Sequence, residues 1–73
     1  MQTNTVTAAY LLGVKEGRES LRFMVANGVD RAEYLASVTA NLKELLAQGY
    51  GGEARESLRG QIDFARNQVR VGA

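Results

Sequence analysis

Two glycines, Gly13 and Gly17, lie four residues apart inside a stretch that otherwise reads as one long amphipathic helix, with Ala9 a further step of four upstream. Each interior glycine costs a helix about 1 kcal/mol relative to alanine. Two on one face therefore need a compensating contact, and close approach to another backbone supplies it. The strip Ala9-Gly13-Gly17, with Ser20 beside it, makes tight helix pairing the structural device expected of this chain. A membrane dimer motif of similar spacing requires an apolar helix of about twenty residues, and Lys15, Glu16, Arg18 and Glu19 exclude that here.

The rest of the chain has the same period. No proline interrupts it, and apolar residues recur at threes and fours, so the expected fold is all-α. The first helix is expected over about residues 4–27, starting near Thr3 or Thr5, with Val6, Tyr10, Val14, Leu21 and Met24 on one face and Gly28 closing it. Asp30 followed by Glu33 fits a capping box, with Val29 and Tyr34 placed as its hydrophobic staple. The second helix then runs over 31–48, its face formed by Leu35, Val38, Leu42, Leu45 and Leu46. Gln48 and Gly49 read as its stop, and Tyr50-Gly51-Gly52 as a link. A third helix over 53–70 buries Leu58, Ile62, Ala65 and Val69, with Gly60 as a local weakness.

These elements make one domain of 73 residues, a small three-helix arrangement consisting of a helical hairpin plus a third helix. The connections favour antiparallel packing of successive helices. An extended pair carrying a loosely attached third helix satisfies the same pattern. Ala32, Ala36 and Ala40 repeat the step of four on the second helix, so the two small strips are expected to meet as the seam of the hairpin. The other reading turns one strip towards a second copy or a target helix.

A chain this short buries only about 60% of the surface its unfolded form exposes, and some apolar surface remains after one core face is assigned. On a wheel of about 100° per residue, Leu12 and Phe23 fall far from the Tyr10, Val14 and Leu21 stripe, and Phe64 falls roughly opposite Ile62. A homodimer is therefore expected, with Leu12, Phe23 and Phe64 as contact residues. Isolated exposed apolar side chains, normal on any surface, are the alternative.

Chemistry is narrowly bounded. The chain has no Cys and no His, which removes disulfides, thiolate or imidazole metal sites, and cysteine or histidine catalysis. No cofactor is expected and the chain is not expected to be an enzyme, because a carboxylate or lysine base near neutrality would need strong burial. Nine Lys plus Arg against eight Asp plus Glu give a net charge of +1, without the acidic surface of a DNA mimic or a global pull on nucleic acid. No apolar run approaches the roughly 20 residues of a membrane span, and Met1 to Thr5 lacks the basic start of a secretory signal. A cytoplasmic protein is expected.

One charged feature stands out. Arg55, Arg59, Arg66 and Arg70 fall within an arc of roughly 60° on the third helix, so their guanidiniums could follow a phosphate backbone. Glu56 and Asp63 border the stripe, and Arg59 to Asp63 has the spacing of an i,i+4 ion pair, so a solvated, self-paired face or an acidic protein partner fits equally.

Two segments, Ala9-Tyr10-Leu11-Leu12-Gly13 leading to Glu16-Gly17-Arg18, and Leu58-Arg59-Gly60-Gln61-Ile62-Asp63-Phe64-Ala65-Arg66-Asn67-Gln68, together resemble small uncharacterised accessory proteins of temperate bacteriophages. The resemblance covers about half the chain and carries over no site residues. It implies stoichiometric binding to a protein of the bacterial host, as anti-CRISPR proteins and quorum-sensing anti-activators do, in the host cytoplasm. The alternative expectation is a small dimeric DNA-binding regulator that uses the arginine stripe.

Overall fold

The computed structural model describes residues 7–72, which form three helices: α1 (Ala8–Ala26), α2 (Arg31–Ala47) and α3 (Gly52–Gly72). The first helix starts later than the periodicity predicts. Its N-cap is Thr7, whose Oγ1 accepts from the Tyr10 N–H at 3.0 Å. Thr3, Thr5 and Val6, assigned to the start of this helix, lie outside the described residues. The other two boundaries shift by one or two residues.

The turn between α1 and α2 is fixed by backbone chemistry at both ends. Gly28 takes φ +87° and donates to Val25 O, while the Val29 N–H reaches back to Met24 O at 3.0 Å. Those two bonds make a Schellman closure, in which a left-handed glycine satisfies the orphan carbonyls of the last turn. Two residues on, the Asp30 carboxylate accepts from the Glu33 N–H at 2.9 Å and opens α2 as the capping pattern predicts. The compact turn sends α2 back from the end of α1.

Their contact is nevertheless slight, and the expected hairpin seam between them does not form. Both helices pack on α3. Gly13 lies against Ser57, Gly17 against Gln61, and Leu21 shares a cluster with Ala65, a constant register that shows α1 and α3 running parallel. The rows Gly13-Gly17-Leu21 and Ser57-Gln61-Ala65 both step by four, the geometry in which ridges of one helix enter grooves of the next. Against α2 the order is reversed: Arg31 is bonded to Gln68 at one end, and Leu45 borders the same surface pocket as Ala54 and Ser57 at the other. The third helix is the centre of the molecule and not a loose attachment.

The core sits along α3. Leu35, Ala65, Ile62, Leu42 and Leu21 are its buried apolar side chains, with Tyr34, Val38 and Phe64 packed on the cluster of Leu21, Leu35 and Ala65. Val69, expected in the core, is 49% exposed and lies at an open surface between α2 and α3. The molecule measures 42 × 26 × 20 Å, elongated along its helices.

Candidate protein-binding surfaces

The glycines of the sequence motif are absorbed by the fold. A Cβ on Gly13 would overlap the Ser57 carbonyl oxygen and lie 2.8 Å from the carbonyl carbon. A Cβ on Gly60 would meet the Tyr10 carbonyl in the same way, with Val14 N at 3.1 Å. Gly60 is thus not a weakness but the counterpart of Gly13. Gly17 faces the edge of the Phe64 ring, where an added Cβ would stand 3.1 Å from Cδ2. Ala9 is half-buried on the same helix.

Ala32, Ala36 and Ala40 are all exposed, since the strip they were assigned to meet is already occupied by α3. They form the floor of an open groove of about 840 Å³ between α2 and α3. Leu35 and Val69 extend that apolar floor. Arg31 and Lys43 stand at its α2 side, Arg66 and Arg70 at its α3 side, and no lining residue is acidic. Thr39 also lines the groove; its Oγ1 is buried and has no hydrogen-bond partner among the described residues.

Half-buried Arg31 is held in place. Its guanidinium donates to Gln68 Oε1 at 2.7 Å and to the Gln68 carbonyl at 3.2 Å, joining the first turn of α2 to the end of α3. Its charge is thereby fixed at one end of the groove, next to Arg66 and Arg70. No spacing in the sequence announces such a contact, because it joins residues 37 apart on different helices.

The four arginines of the stripe are all exposed on α3. They do not act as one uniform band. Arg66 and Arg70 line the groove, whereas Arg59, two turns earlier on the same face, lies close enough to the Tyr10 hydroxyl to act on it electrostatically. There Tyr10 donates to Asp63 Oδ2 at 2.5 Å, which ties α1 to α3. This bond to the carboxylate is the main reason the Tyr10 pKa is raised; slight burial and the Asp63 charge add to it, while Arg59 opposes it. Asp63, matched to Arg59 by its spacing, is thus engaged by Tyr10 in the helix seam.

On α1 the leftover apolar surface is real at two of the three expected positions. Leu12 is 51% and Phe23 66% exposed, and Leu11, next to Leu12 in sequence, is 57% exposed. Phe64, by contrast, is half-buried, packed against Gly17 and the core cluster. The wheel placed it opposite Ile62, but α1 covers that side of α3.

Among the described residues no three acidic side chains gather as a metal site, and no helix is long and apolar enough to cross a membrane. Comparison of the chain with models of known families, with curated proteins and with solved structures gave no match.

Proposed function

We propose that this protein is a non-enzymatic binding module that acts by stoichiometric attachment to another protein, in keeping with its resemblance to small phage accessory proteins that inhibit a bacterial host factor in the host cytoplasm. The observation that carries this reading is the uncovered groove between α2 and α3. A monomeric fold gains nothing from leaving the apolar surface of Ala32, Ala36, Ala40 and Val69 in water between cationic walls. A protein surface with matching apolar and acidic groups would remove that apolar area from solvent and complement the walls.

The exposed Leu12 and Phe23 on α1 support a second contact, with another copy of the chain. That surface lies on a different helix from the groove, so self-association and target binding are compatible. The DNA-binding alternative draws on the exposure of Arg55, Arg59, Arg66 and Arg70 along α3. Affinity purification from bacterial lysate, with and without nuclease, separates the two. Recovery of one protein in near-equal amount despite nuclease is expected; loss of every partner on nuclease treatment would favour the DNA-binding reading.

A further inference from the structure

We infer that the occupant of the α2–α3 groove is a single amphipathic helix with acidic flanks, which docks as a fourth helix on this three-helix scaffold. The inference rests on the protein-binding reading above and names the partner's chemistry. The floor argues for a helix. Ala32, Ala36 and Ala40 are exposed at successive steps of four, and a row of methyl groups lets another helix approach closely without interlocking long side chains. From Arg31 to Lys43 the groove follows α2 for about 18 Å at 1.5 Å per residue, long enough for three turns of a partner helix.

The walls argue for acidic flanks. Arg31, Lys43, Arg66 and Arg70 bring four cations to the groove with no carboxylate among the lining residues, although the chain as a whole carries a net charge of only +1. Three of the four gather at the end where α2 begins and α3 finishes, since Arg31 is bound to Gln68 between Arg66 and Arg70 in sequence. The partner's carboxylates should be densest over that end. Lys43 alone serves the other.

A membrane surface fits less well. The cations stand on both sides of a concave strip, whereas a bilayer is met by a convex amphipathic face with its charges at the rim. Duplex DNA would be met by the outward stripe of α3 and would leave the alanine floor unused.

The test uses the full chain and two synthetic peptides of about 15 residues, each a helix with one leucine face, flanked by Glu in one and by Lys in the other. The Glu peptide should bind at least about ten-fold more tightly than the Lys peptide, and less so as salt is raised. Ala36→Trp should abolish that binding while Ser37→Trp, on an exposed position outside the groove, leaves it intact. The double variant Arg66→Glu/Arg70→Glu brings two carboxylates against the remaining Arg31 and Lys43 and should remove the preference for the Glu peptide. Circular dichroism checks that each variant keeps its helices.

Equal binding of both peptides, no binding of either, or retention by Ala36→Trp would overturn the inference. So would groove-dependent binding to phosphatidylcholine vesicles with about 30% phosphatidylserine when the Glu peptide does not bind, which would assign the groove to a lipid surface. Nuclease-resistant capture of a host protein that persists in Ala36→Trp would remove the groove but leave the protein-binding reading standing. Loss of all captured partners with nuclease would remove that wider reading instead.

Discussion

Gly13 and Gly60 each face the backbone of the other's helix: Gly13 abuts Ser57 on α3, and Gly60 abuts Tyr10 on α1. This reciprocal contact allows α1 and α3 to approach more closely than any pair of residues with side chains would permit. The helix-forming cost of two glycines is offset by the packing of the whole α1–α3 face, including Leu21 on Ala65.

The seam predicts an unusual response to alanine. Gly13→Ala and Gly60→Ala should each lower stability by about 1–3 kcal/mol through overpacking, in spite of alanine's better helix propensity. Gly17→Ala should cost less, because its neighbour is a ring edge that can shift and not a backbone. Gly51→Ala, with nothing within 4 Å, should be neutral or stabilising by up to about 1 kcal/mol. Urea unfolding reads all four as midpoint shifts at constant slope. Gly13→Leu should prevent folding altogether.

The helices, their turns and most of the core are legible in the sequence because each is a local signal: Asp30 with Glu33, Gly28 after Asn27, Leu35 and Leu42 on one face. The pairing of helices is not local, and there the small residues mislead. Alanine is the best helix former, so Ala32-Ala36-Ala40 costs nothing and implies no contact. Gly60 does cost something, and that expense is the available sign that α3 supplies the partner of Gly13. Exposure of Phe23 and burial of Phe64 look alike on single-helix wheels. Only the choice of neighbour separates them.

Leu35 is the most buried large side chain and belongs both to the core and to the groove floor. Leu35→Ala should destabilise by about 2–5 kcal/mol, a large share of the stability of a domain this size. Thermal unfolding followed by circular dichroism measures it, and the same experiment on Ala36→Ser should show almost no change because Ala36 is exposed.

Phe23→Ala should weaken self-association without loss of stability, since the ring is 66% exposed in the monomer. Sedimentation equilibrium across micromolar concentrations should show the wild type shifting towards dimer and Phe23→Ala remaining monomeric. A wild-type chain that stays monomeric at high micromolar concentration would remove the dimer.

Tyr10 sets an alkaline limit. Its pKa is raised above the ordinary 10.0, chiefly by donation to Asp63, so the folded state holds this proton more tightly than the unfolded chain. The contribution is fully present below pH 10.0 and is lost as pH rises through the higher folded value, when the phenolate faces the carboxylate. Tyr10→Phe should therefore be less stable than wild type at neutral pH, with the difference shrinking above pH 10.0. Ultraviolet titration should show one tyrosine ionising late in the wild type and not in the variant.

The account depends on α1 packing on α3 and leaving the alanine strip of α2 uncovered, and nuclear Overhauser contacts from Gly13 test that directly. The Gly13 α-protons should give cross-peaks to backbone protons of Ser57, and those of Gly60 to Tyr10 and Val14. Cross-peaks from Gly13 to the methyls of Ala36 or Ala40 would instead place α1 on α2, close the groove and contradict the account.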